Sequence, residues 1–185
     1  MNAENTANTD TSANTANTAN TDTSANTGTT VTDPNSAQAG EPGFTIVREF
    51  AAPRARVWEA WTNPDVMARW FHPETLVTPR ESVSVDLRVG GEYTYTMRIP
   101  DTGQEFPTAG KYLHIDEPVR LDFTWGSPGE IDDALRVSVA LEEIDADRTR
   151  MTFTLTGLPD DSGEDASAYD GWSSAFNELG AELGS

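Results

Sequence analysis

The fold class predicted for this chain is α+β: an antiparallel sheet of six to seven strands, one long C-terminal helix, and two short helices after the first strand. Three observations predict it. Apolar and polar residues alternate with period two in segment after segment between residues 83 and 156, the signature of strands with one buried and one wet face. Short turn sequences separate these segments, so neighbours in sequence become neighbours in the sheet. Finally, Trp172, Phe176, Leu179 and Leu183 fall at i, i+4, i+7 and i+11, a single helical stripe able to cover the sheet.

Phe44-Thr45-Ile46-Val47-Arg48-Glu49-Phe50 alternates as a first strand, and Ala51-Ala52-Pro53 ends it. Pro53 suits the first helical position. Val57, Trp58 and Trp61 then form an apolar stripe on a short helix that ends before Asn63. Asn63 is a favourable N-cap, with Pro64 in the first position of a second short helix. Met67 and Trp70 fall three apart on it, and His72-Pro73 stops it. Val83, Val85, Leu87 and Val89 predict a strand, and Gly90-Gly91 a tight hairpin into Tyr93, Tyr95, Met97 and Ile99. Further strands are expected near Ala109–Asp116, at Val119, Leu121, Phe123 and Trp125, and at Leu135, Val137, Val139 and Leu141. Asp145-Ala146-Asp147 reads as a turn into Met151, Phe153 and Leu155. Ser162-x-x-Asp165 resembles a capping box for the last helix, with Asp where Glu or Gln is usual.

Residues 1–41 differ from the rest. They are mostly Asn, Thr, Ala and Ser, with no aromatic residue, and Asn5–Ala16 recurs as Asn17–Gly28 with one change. A repeat without large apolar residues cannot offset its ordering entropy, so this segment is expected to be a disordered tail. The domain is expected over 42–185.

Composition excludes several function classes. The chain has 12 Lys+Arg against 31 Asp+Glu, a formal net charge of −19. Nucleic acid and anionic membrane need clustered Lys/Arg, so neither is expected as a partner. Without cysteine there is no disulfide, thiol nucleophile or Cys-ligated metal. The first residues lack the basic and apolar regions of a secretory signal, and a cytoplasmic protein is the expectation.

The segments REFAAPRARVWEAWTNPDVMARWF (48–71), DLRVGGEY (86–93), GKYLHIDEPVRLDFTW (110–125) and DGWSSAFNELGAEL (170–183) carry a resemblance. Together, in this order, they resemble the activator of heat-shock-protein-90 ATPase homologue family, within the SRPBCC (START/Bet v 1-like) superfamily. The likeness covers about residues 44–183 and leaves the tail outside it. It implies the helix-grip fold, in which a curved sheet wraps the C-terminal helix and a mostly apolar cavity lies between them.

Site candidates follow from that geometry. Trp70, Phe71 and His72 leave the second helix, near the cavity mouth in the resembled fold. Tyr93, Tyr95 and Met97 share one inward strand face, Phe123 and Trp125 another, and Trp172 and Phe176 oppose them from the last helix. Tyr and Trp carry polar handles that need partners when buried, which suits a partly wet cavity. A packed core built from the same residues is the alternative. His72 and His114 are the only histidines. No local metal-ligand spacing accompanies them, and no metal or other cofactor is expected. His114 is placed on the polar phase of its strand, with Tyr112 and Asp116. Acidic pairs such as Asp132-Asp133, Glu142-Glu143 and Asp160-Asp161 read as solvated charge, and Asp86 with Arg88 as a surface ion pair. No catalytic constellation is legible.

The function expected is non-catalytic binding of a small hydrophobic or amphipathic molecule in a closed cavity of a few hundred cubic ångströms. Two alternatives stand beside it. One is a co-chaperone-like interaction domain, which the family resemblance implies. The other is an enzyme of the polyketide cyclase or dehydratase kind, with Tyr93, Tyr95 and His72 as its polar groups.

Overall fold

The computed structural model describes residues 42–132, 134–159 and 164–184. The expected tail, the Ser162 cap, Asp133 and the Asp160-Asp161 pair lie outside them.

Among the described residues, seven strands form one antiparallel sheet. They are β1 (Gly43–Phe50), β2 (Ser84–Val85), β3 (Glu92–Arg98), β4 (Glu105–Asp116), β5 (Arg120–Trp125), β6 (Leu135–Asp145) and β7 (Arg148–Thr156). Their order across the sheet is β1-β7-β6-β5-β4-β3-β2, a meander closed by pairing of the first strand with the last. Helices α1 (Arg54–Thr62) and α2 (Pro64–Trp70) follow β1, and α3 (Glu164–Leu183) ends the chain. This is the helix-grip fold, with α3 against the sheet's apolar face. Twenty residues span about 30 Å, enough for one helix to cover that face.

Helix boundaries follow local chemistry. Pro53 lies just outside α1, one residue earlier than expected, and its carbonyl accepts from the Arg56 amide at 2.9 Å. Asn63 caps α2 as expected, its side chain accepting from the Asp65 amide at 2.9 Å. Trp70 at the end of α2 donates its indole N–H to the Ala60 carbonyl at 2.8 Å, locking the two short helices together.

Three strand expectations are corrected. Only Ser84 and Val85 of the 83–89 segment pair with β3. Beyond them the chain turns at Arg88–Gly91, where the Gly91 amide donates to the Arg88 carbonyl at 2.8 Å and Gly90 adopts φ +80°. Gly90 and Gly91 then bond across to Tyr112 of β4, so the turn swings off the apolar face and leaves Leu87 and Val89 exposed. Val119 likewise lies in the β4–β5 turn and is exposed. The third correction concerns β4. It starts at Glu105, pairs first with β3, and has a bulge between Tyr112 and His114. The extra residue switches the inward phase. Tyr112 is therefore buried, while His114 is exposed and paired with Asp122.

The core is a web of rings with Trp61 at its centre. Trp61 lies 4.8 Å from Trp70, 5.7 Å from Phe71, 5.9 Å from Phe123 and 6.2 Å from both Trp172 and Phe176, measured between ring centroids. Phe153 of β7 lies 4.6 Å from Trp172. Rings of this size bury roughly 150–250 Å² each, about 4–6 kcal/mol of gross transfer free energy apiece before ordering entropy.

Gly110 is required by close approach. The Tyr93 ring crosses over it, and the Tyr93 hydroxyl donates to the Thr124 carbonyl of β5 at 2.8 Å. A Cβ at position 110 would lie 1.9 Å from that carbonyl oxygen and 2.5 Å from the Tyr93 ring. Gly110→Ala is expected to lower stability by about 1–3 kcal/mol through overpacking, read as a fall in the urea midpoint. An unchanged midpoint would contradict this account of the β3–β5 contact.

Candidate functional site

The space between sheet and α3 is divided. Its centre is filled by the aromatic web, and a void of about 10 Å³ lies beside Tyr93, Tyr112 and Phe123. At one end the rings stop, and a cleft of about 330 Å³ opens. Its floor and walls come from Tyr95 and Met97 of β3, Trp125 at the end of β5, Leu135 at the start of β6, and Leu158 after β7. Phe71, His72 and Pro73 form the rim beyond α2, and Ser167, Ala168, Gly171, Trp172 and Ala175 supply the α3 side. Ser167 is exposed and Met97 and Trp125 are half-buried, so the cleft reaches the surface rather than being closed as expected.

Six of the ten predicted residues meet there: Phe71, His72, Tyr95, Met97, Trp125 and Trp172. The other four do not line it. Trp70 is fully buried with its N–H spent on Ala60, and Tyr93 has its hydroxyl spent on Thr124. Phe123 and Phe176 pack into the web around Trp61. Sequence reasoning named only Trp172 of the α3 wall and missed its small residues. Its signal was present in Ser167, Gly171 and Ala175, small residues at i, i+4 and i+8 beside the apolar stripe.

The rim is pinned from both sides. The Thr78 hydroxyl donates to the Phe71 carbonyl at 3.0 Å, and the Glu74 amide donates to the Ser174 hydroxyl of α3 at 3.0 Å. Phe71 packs at a tilt on Tyr95, 4.6 Å between centroids, and Trp125 meets Trp172 at 5.3 Å. The His72 ring lies with Nδ1 3.1 Å from the Pro73 carbonyl.

Among the described residues, no Asp, Glu, Lys or Arg lines the cleft, in a chain of net charge −19. Polar chemistry reduces to a few groups. The Trp125 indole N–H donates to the Tyr95 hydroxyl oxygen at 2.9 Å. Burial pushes the Tyr95 hydroxyl up to about 12, although the Trp125 and Thr108 hydrogen bonds pull the other way. At neutral pH it is a protonated donor, not a base. Among the described residues, no group of three or more His, Asp or Glu side chains could hold a metal ion.

Burial also raises the Tyr93 and Tyr112 hydroxyls, Tyr93 further through its tyrosine neighbours. An unfolded tyrosine ionises near 10. Above that pH the unfolded chain loses protons that the folded chain keeps. Stability is therefore full below pH 10 and falls as pH rises from 10 towards 12. Absorbance at 295 nm should show these rings ionising together with loss of the circular dichroism signal. Ionisation of all four tyrosines with the fold intact would refute it.

Solved structures share this architecture. A protein from Mycobacterium smegmatis is 29% identical, with a TM-score of 0.64, over 76% of this chain and 90% of its own. A protein from Arthrobacter aurescens is 27% identical, with a TM-score of 0.66, over 77% and 86%. The AHSA1 protein from Silicibacter pomeroyi is 25% identical, with a TM-score of 0.66, over 77% and 98%. No curated protein matches the chain. No described helix is long and apolar enough to cross a membrane. The family described as Activator of Hsp90 ATPase homolog 1-like protein matches residues 51–184, the span that folds into α1 through α3, and the chain therefore belongs to that family, within the SRPBCC superfamily.

Proposed function

We propose that the domain binds a small apolar or amphipathic molecule in the cleft between the sheet and α3. One observation carries this reading: about 330 Å³ of space whose walls are apolar, uncharged and anchored by hydrogen bonds. That volume lies at the lower end of small-molecule sites. A few polar groups amid aromatic walls is the usual makeup of such a site.

Two other readings are weaker. A co-chaperone-like interaction domain rests on the family description. For a cyclase-like enzyme, Tyr95 and His72 share the cleft, but Tyr93 faces Thr124 and Tyr95 is held protonated.

Gly171 provides the test. It lines the cleft, and a Cβ built there meets nothing within 4 Å. The backbone therefore accepts a side chain at this position, and the longer one of Gly171→Leu is expected to take up part of the cleft. Replacing a helical glycine should also leave stability equal or higher by about 0.5–1 kcal/mol. Using the neutral fluorophore N-phenyl-1-naphthylamine, the full chain should bind with enhanced emission, and Gly171→Leu should bind at least tenfold more weakly while melting no lower. Equal binding by both proteins would place the ligand elsewhere and overturn the proposal.

A further inference from the structure

We infer that the cleft discriminates by the sign of charge: it holds an apolar molecule whose polar end is neutral or cationic, such as an amide or an amidine, and rejects the matching carboxylate, sulfate or phosphate. The inference rests on the cleft being a binding site and adds the charge class of what it holds.

Two observations, at different ranges, carry it. The first is the wall itself. Among the described residues lining the cleft there is no Lys or Arg, while Phe71, Tyr95, Trp125 and Trp172 contribute aromatic rings. An ionised carboxylate taken from water into such walls loses its hydration and meets no cation in return. A cation loses hydration as well, but aromatic walls offer it an attraction that they do not offer an anion. A neutral amide carries neither cost.

The second is the charge around the opening. The lining residue Pro73 is followed directly by exposed Glu74, and the lining residue Gly171 is preceded directly by exposed Asp170. The loop between the lining residues Trp125 and Leu135 carries exposed Glu130 and Asp132. Lys111, the base beside that loop, is already paired with Asp132 at 2.6 Å. Arg98 and Arg136 each follow a lining residue, Met97 and Leu135, but consecutive strand residues point to opposite faces of a sheet. Both arginines are exposed and fall on the phase away from the cleft. The whole chain carries −19, and a cleft with low-dielectric walls focuses such a field at its mouth. An approaching anion is repelled and an approaching cation is drawn in, so the wall and the field act with the same sign.

The test uses three naphthalenes of nearly the same shape and different charge: 2-naphthamide (neutral), 2-naphthamidine (a cation) and 2-naphthoate (an anion). Each competes on the full chain with N-phenyl-1-naphthylamine, and loss of that fluorophore's emission reads occupancy of the cleft. Titrations run at pH 8, above the ordinary histidine range, because His72 is the lining residue able to take on positive charge. Naphthamide and naphthamidine should each displace the fluorophore at a concentration at least about tenfold below that of naphthoate. Ser167→Lys places an ammonium at an exposed lining position of α3, and should narrow the gap between naphthoate and naphthamide. If naphthoate competes as well as naphthamide in the wild-type protein, the inference falls and the cleft remains a binding site. If naphthamidine is as weak as naphthoate, the loss of hydration by any charge sets the order, and the inference falls too. A gap left unchanged in folded Ser167→Lys also overturns it, since missing basic groups would not be its cause. If the fluorophore does not bind, or binds Gly171→Leu equally well, the binding reading and this inference fall together. The wild-type order decides even where Ser167→Lys does not fold.

Discussion

Trp61 touches every layer of this domain at once. From α1 it packs on Trp70 and Phe71 around the end of α2, on Phe123 of β5, and on Trp172 and Phe176 of α3. A sheet with one apolar face must cover it, and here a single helix is the principal cover. One helix is too narrow to shield a seven-stranded sheet unless large side chains bridge the gap. The ring web does so, and Trp61 sets the spacing between sheet, short helices and α3. Ala60 and Val57, fully buried beside it, hold α1 close enough for that ring to reach.

The cleft is a consequence of the same packing. Where large rings face each other the interior is filled, as around Phe153 and Phe176. Where α3 presents Ser167, Ala168, Gly171 and Ala175 instead, nothing reaches across to the sheet, and space remains. Packed interiors tolerate few voids, so an apolar opening of this size marks a place where filling was forgone. The rim hydrogen bonds from Thr78 and to Ser174 keep it from collapsing.

Charge is arranged around this site and away from it. Ion pairs such as Arg150 with Glu49 and Glu142, Arg88 with Asp86, and Lys111 with Asp132 lie on the outer surface. Pairs of that kind contribute little to stability. The acidic excess bears on solubility and on which partners approach, whereas the fold depends on apolar burial and on buried hydroxyls that hold their protons.

The sequence by itself determined the fold class, because period-two alternation and the stripe of Trp172, Phe176, Leu179 and Leu183 are local consequences of backbone geometry. It also determined the Asn63 cap, both short helices and the inward phase of β3, β5, β6 and β7. What only the tertiary structure decided was where those faces stop. The Tyr112–His114 bulge changes which residues point inward, and the Gly90-Gly91 turn bonds across to Tyr112 rather than prolonging the 83–89 strand. Neither is written in alternation, since both depend on hydrogen bonds to a strand distant in sequence. Pattern reading therefore assigned Tyr93, Phe123, Trp70 and Phe176 to the same group as Tyr95 and Trp125. A residue's inward direction is set by its neighbours along the chain, but whether it meets a ring or an empty space is set by the opposing element. Here that element is α3, and its small residues decide that Tyr95 borders a cleft while Tyr93 lies in the core.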